Sequence, residues 1–279
     1  MTVDSASRST IQPVGTRGRI RDVRRFQRYA AAVIMLVPAT SIAVGRLFQT
    51  DDSNTRAALD LIAANPDRQL YFAVFGYIGL LTIVPAFLAA ARLSRRRRPV
   101  LTTVALAVNL TAYLGSFAMG AIDNLYLLGG LLPADQRDVA AIIIDQMWST
   151  GVAGFSTSLF VLGHIIGAIL MGLALRGSIP TLGWLAMLLT TPAHVVAFVV
   201  LQMPVLDMAA WLLMTISFAY CAAVIIKTPD DEWDLPPKPK WMRWRTYRRL
   251  EGQFDRCEEL IDRQCLVTVA RLMRTKLPL

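Results

Sequence analysis

The chain has 279 residues, 54% hydrophobic and 18% charged, with 29 Lys and Arg against 20 Asp and Glu and a formal net charge of +9. Its mean hydropathy is +0.46, and the charges are clustered: 69–91, 99–122, 146–175, 177–206 and 208–226 contain no Asp, Glu, Lys or Arg. Each stretch is near or beyond the ~18–20 apolar residues that cross a bilayer core, which excludes a soluble enzyme, a secreted disulfide scaffold and a disordered protein.

Residues 1–28 are polar, carry seven Arg and two acids, and read as a flexible basic tail. No cleavable signal peptide is expected, because no short apolar region with a small-residue cleavage site follows. An apolar helix runs over roughly 29–48, interrupted by Pro38, which membrane helices tolerate. Helix two spans roughly 70–91 and is followed by Arg95–Arg96–Arg97–Arg98. Helix three runs from about 100 to Ile122 or slightly further, helix four over 153–175, helix five over 181–202 and helix six over 205–226, with a tight turn at Gln202–Met203–Pro204. Between helices one and two, 49–69 is polar and acidic. Between three and four, Asp123–Asn124 opens a longer segment through Gly129–Gly130 and Pro133, and 134–148 reads as a surface helix.

Charge orients the threading. Of the 29 basic residues, 25 fall in the N-terminal tail, the second loop, Arg176 and the C-terminal tail, while the opposite loops hold only Arg46, Arg56, Arg68 and Arg137. The positive-inside rule puts both termini in the cytoplasm. Arg far exceeds Lys and Ala is abundant, as in GC-rich bacterial genomes, so a bacterial cytoplasmic membrane is the expected location. The Pro-rich stretch 227–240 is a stiff linker. Beyond it, apolar residues at 241, 244, 247, 250, 254, 257, 261 and 265 mark an amphipathic helix over 241–279. Arg243, Arg245, Arg248 and Arg249 crowd its start, which suits anionic inner-leaflet lipid. The alternative is packing on the inner loops or on a second copy, a homo-oligomer. No nucleic-acid partner is expected. Three cysteines, Cys221, Cys257 and Cys265, suit neither a disulfide framework nor a CxxC metal site.

Polar residues within the spans are the candidate site. In helix three Thr102, Asn109, Ser116 and Asp123 stand seven residues apart, with Tyr113 near the same face. Hydrogen bonding between helices accounts for Thr102 and Ser116; Asn109 and Tyr113 are the better candidates for a cavity wall. Asp207 opens helix six, where the helix dipole favours a carboxylate, whereas Asp123 closes helix three, where it does not. Asp123 is therefore the carboxylate to watch. The only histidines, His164 and His194, lie on helices four and five at a similar depth, roughly 12–14 Å from the outer ends, and a short loop makes those helices neighbours. Three readings of the pair stand open: hydrogen-bonded neutral imidazoles, axial ligands of a haem b, or part of a metal site that needs a third ligand.

The Arg24–Arg25–Phe26–Gln27–Arg28–Tyr29–Ala30 approach to helix one, the Asp123–Asn124 end of helix three and the single histidine of helix four resemble uncharacterised bacterial six-helix integral membrane proteins, families of unknown function. The resemblance covers about 24–227 and implies topology rather than chemistry. No P-loop, HExxH, GxSxG or Rossmann fingerprint occurs in a plausible place. The expectation is an all-α polytopic membrane helix bundle with six transmembrane helices and a cytoplasmic amphipathic helix. It would bind a small or lipidic ligand in an outward-facing cavity lined by Asn109, Tyr113, Asp123, His164, His194 and Asp207. The alternatives are a membrane-embedded enzyme or redox subunit built on His164 and His194, and a transporter.

Overall fold

The computed structural model describes residues 16–50, 54–227 and, in the tail, 242–250, 252, 253, 256 and 260, with side chains from residue 26 and those of 118 and 119 excepted. The chain falls into two units, Met1–Lys227 and Thr228–Leu279. The described part of the first is helical throughout. Helix α1 covers Thr16–Gly45 and ends in a 3-10 turn, Arg46–Phe48; α2 is Thr55–Ala64, α3 Pro66–Arg95, α4 Pro99–Gly115 and α5 Phe117–Leu131. Then come a 3-10 turn at Ala134–Gln136, α6 at Arg137–Ser149, α7 at Gly151–Leu175, α8 at Thr181–Val195 with a π-helical turn over Val196–Val200, and α9 at Pro204–Lys227.

Among the described residues six spans are long and apolar enough to cross a membrane: Phe26–Phe48, Pro66–Arg95, Pro99–Leu131, Gly151–Leu175, Thr181–Val200 and Pro204–Lys227. The chain is thus an all-α, multi-pass membrane bundle. Their punctuation is chemical. Proline opens α3 and α4 at positions where its missing N–H costs nothing, and the Asn65 side chain accepts from the Arg68 N–H at 3.4 Å. Arg98 donates to the Leu173 carbonyl at 2.8 Å, closing the C-terminus of α7. Gln202, at φ 52°, turns the chain between α8 and α9.

The spans close into a ring in chain order: α1 packs on α3 and α9, α3 on α4, α4 on α7, α7 on α8 and α8 on α9. Small residues let the backbones approach, as lipid-embedded helices require. A methyl group added at Gly163 would stand 2.7 Å from the Ala112 Cβ, and one at Gly167 would stand 2.6 Å from the Asn109 side chain. Polar side chains close further seams: Thr102 donates to Ser94 at 2.9 Å and Thr191 to the Ile165 carbonyl at 3.3 Å. Lower in the ring, Phe218, Phe87, Tyr113 and Phe160 form a chain of touching rings, centroids 5.4–5.6 Å apart.

Three boundaries differ from the sequence expectation. Helix α1 starts at Thr16, inside the stretch read as a flexible tail. Helix three does not end near Ile122: it is interrupted at Ser116, whose hydroxyl donates back to the Tyr113 carbonyl at 2.6 Å, and then runs on as α5 through Asp123 to Leu131. Back-bonding serines bend helices without ending them, and the next proline is Pro133. Asp123 is therefore a mid-helix residue, not the anion at a helix C-terminus or the start of a turn. Finally, the polar stretch 49–69 contains α2, capped by Asn54, which accepts from the Ala57 N–H at 3.1 Å.

Helices α2 and α6 make a cap over one end of the bundle. Leu59 and Ile62 of α2 bury against Ile122 of α5 and Ala141 and Ile144 of α6. Around this core, Arg56 pairs with Asp60 and, at 2.6 Å, with Asp138; Arg137 reaches Asp60 at 2.8 Å; and Thr55 donates to Asp145. In the second unit the described residues include a helix over 244–250, with Trp244 edge-on to Tyr247 at 6.0 Å. The linker 228–240 and the periodic positions 241, 254, 257, 261 and 265 lie outside the described residues, as do Cys257 and Cys265.

Candidate functional site

A cavity of about 360 Å³ lies inside the ring beneath the α2–α6 cap, within the size range of small-molecule sites. Much of its wall is apolar or aromatic, including Ile42, Phe72, Leu80, Phe160, Phe198 and Trp211. The polar residues on it come from separate elements: Arg46 after α1, Gln69 of α3, Tyr113 of α4, Asp123 of α5, Thr157 and His164 of α7 and His194 of α8.

The strongest interactions form a chain of three residues. Asp207, in the first turn of α9, is fully buried. One of its carboxylate oxygens accepts from Nδ1 of His194, and the other stands 2.7 Å from Nε of Arg46. That Arg46 N–H is off-line for a hydrogen bond, so the contact is an ion pair of two charges in a low-dielectric setting. A second guanidinium nitrogen donates to Gln49 at 3.0 Å, and the guanidinium carbon lies 5.2 Å from the centre of the Phe198 ring and 5.6 Å from that of Phe72. Arg46 is thus held by a carboxylate, an amide and two aromatic faces. Because a carboxylate only accepts, Nδ1 of His194 carries the proton.

His164 stands beside His194 with ring centres 5.6 Å apart at 65°. Its Nδ1 lies 2.8 Å from the Phe160 carbonyl, which likewise requires a proton on Nδ1 and leaves Nε2 as a bare lone pair. That Nε2 is buried without a partner. So are the Tyr113 hydroxyl, the Thr157 hydroxyl and the Trp211 indole N–H, and all four residues line the cavity. Buried polar atoms are nearly always satisfied. Four orphans around one cavity are polar capacity left for something that enters it.

Of the residues expected from the sequence, Tyr113, Asp123, His164 and His194 line the cavity, and Asp207 supports it through His194 and Arg46. Asn109 is placed elsewhere: it sits in the α4–α7 seam against Gly167 and donates to the Ala105 carbonyl at 2.8 Å. The carboxylate bonded to a histidine is Asp207, not Asp123. A helix-dipole argument rates Asp207 as merely comfortable at a helix start and cannot see the two partners that other helices bring to it. By sequence Arg46 reads as a loop charge, although it directly ends an apolar span, which is the available signal. Trp211, one turn after Asp207, and Thr157, two turns before His164, were also missed.

For the haem reading, both imidazoles would have to face one macrocycle. They meet each other directly, and Phe160 stacks on His164 at 4.5 Å while Phe198 and Trp211 pack on His194 at 5.6 and 5.3 Å. Among the described residues no three His, Cys, Asp or Glu side chains gather as metal ligands would.

No family model, curated protein or solved structure matches the chain. The reading of the site accordingly rests on its own geometry.

Proposed function

We propose that the protein is a binding protein for a small amphiphilic or lipidic molecule, held in the cavity beneath the α2–α6 cap. The observation that carries this reading is the apolar chamber with the unpartnered atoms of Tyr113, Thr157, His164 and Trp211 on its wall: apolar area for a tail, and donors and acceptors for a head group. Phe198 and Val199 of the π-helical turn line the chamber and are also 41% and 61% exposed. The wall is thin there, which suits entry from lipid. The Arg-over-Lys, Ala-rich composition suits a bacterial cytoplasmic membrane, and the distribution of basic residues puts both termini in the cytoplasm and the chamber facing outward. On the inner side, Arg243, Arg245, Arg248 and Arg249 next to the exposed Trp244 suit anionic lipid.

Gly76 supplies the test. It lies on the chamber wall between Phe72 and Leu80, one turn from each, and a side chain added there meets nothing within 4 Å. In lipid nanodiscs, dodecanol should quench the fluorescence of the tryptophans saturably, since Trp148 and Trp211 line the chamber. Gly76→Leu should fill the space and abolish that response while leaving the unfolding temperature in place. Equal quenching in both proteins would overturn the reading. A reporter fused after Leu279 should be cytoplasmic and one inserted at Arg137 exported.

A further inference from the structure

Two carboxylates stand at the chamber. Asp207 is paired with Arg46 at 2.7 Å and accepts from Nδ1 of His194. Asp123 is different. Its backbone carbonyl accepts from Gln69 at 3.3 Å, but its carboxylate has no hydrogen bond and no ion pair among the described residues, and it opens on the cavity. Ionisable groups inside a membrane bundle are costly and are ordinarily paired. Here Arg46 is already paired with Asp207. An unpartnered carboxylate beside buried polar atoms that lack partners suits a cation.

The rest of the wall suits one. Tyr126, one turn along α5 from Asp123, lines the chamber with Trp148 of the cap and Phe72 of α3. Aromatic faces attract organic cations, most strongly when water is excluded. For an ammonium head that carries N–H, the bare Nε2 of His164 adds an acceptor. An inorganic cation would need a shell of oxygen ligands, which this mostly apolar wall does not offer. A lipophilic ammonium needs only one counter-charge, aromatic faces and room for its hydrocarbon.

We propose that the chamber is selective for lipophilic organic cations, such as alkylammonium compounds, with Asp123 as the counter-ion and the aromatic wall around the cationic head. The proposal rests on the chamber reading above and adds the charge class of the ligand.

Three probes with one tail and different heads test it on the full chain in nanodiscs, below micelle formation: dodecyltrimethylammonium, dodecanol and dodecanoate, titrated by tryptophan fluorescence. The ammonium, whose charge does not titrate, should bind more than about tenfold more tightly than dodecanol, since removing one member of a buried charge pair costs at least that; dodecanoate should bind most weakly. Asp123→Asn should bring the ammonium to the level of dodecanol, and Asp123→Glu should retain the preference. If Asp123→Asn does not fold, the Asp123→Glu variant and the three-probe ranking still decide. Equal binding of ammonium and alcohol, or a preference for dodecanoate, would overturn the proposal while leaving the chamber intact. Loss of all three responses in the wild type, or their persistence in Gly76→Leu, would bring down the chamber reading and the proposal with it.

Discussion

Asp207 carries two partners from distant parts of the chain, so its replacement reports on both. Asp207→Leu alone leaves the Arg46 guanidinium buried without its counter-charge and should destabilise the bundle by about 3 kcal/mol. Adding Arg46→Met should recover most of that, because the pair is then replaced by apolar groups. The double-mutant cycle, read from unfolding midpoints, should therefore be strongly non-additive. Additive losses would mean that the 2.7 Å contact contributes nothing. His194→Gln should couple to Asp207 more than to His164, since the histidines touch ring to ring but share no hydrogen bond. At the cap, Asp60 is solvent-exposed, and hydrogen bonds from Arg56 and then Arg137 hold its carboxyl below the ordinary 3.8. A depressed pKa adds stability that is present above the unfolded value and lost as pH falls through the folded one. Amide exchange in α2 and α6, corrected for intrinsic rates, should thus rise on acidification below about pH 3.8, and Asp60→Asn should remove that pH dependence.

The helix pairs differ in how closely they approach, and glycines set the distance. At Gly163 the obstacle to a side chain is the Ala112 Cβ at 2.7 Å, with its Cα at 3.4 Å, atoms that move only with the helix. Gly163→Ala should cost about 1–3 kcal/mol by overpacking the α4–α7 seam. Gly76→Ala meets open space and should be near neutral. Unfolding midpoints for the two variants check the contrast, and equal effects would show that the seam yields. The same scale explains why α2 was missed. Its ten residues carry charges on the face turned to α6 and bury only Ala58, Leu59 and Ile62, so its stability comes from Ile122, Ala141 and Ile144 on other helices. Short helices owe most of their stability to such tertiary contacts.

The division of the chain at Lys227 predicts that the bundle stands alone. A protein truncated after Thr228 should insert, elute as a folded particle and keep the unfolding temperature of the full chain. Failure to insert, or a large drop in that temperature, would show that residues beyond 228 belong to the bundle core. The chamber belongs entirely to the first unit, and so dodecanol quenching should survive the truncation.

The sequence by itself determined the membrane class and the six spans, because a stretch of about twenty apolar residues with at most one charge near its end is favourable in lipid whatever its neighbours do. It also brought out Tyr113, Asp123, His164 and His194, since polar side chains inside such stretches are conspicuous one at a time. Only the tertiary structure decided what those residues meet. Arg46, His194 and Asp207 belong to three different spans, and their pairing depends on how the ring closes, which no local pattern encodes. Beyond the interruption at Ser116, α5 runs on past Asp123 and places that carboxylate on a cavity wall rather than at a helix end. Hydropathy is a property of each segment, whereas a site is a property of the contacts between them.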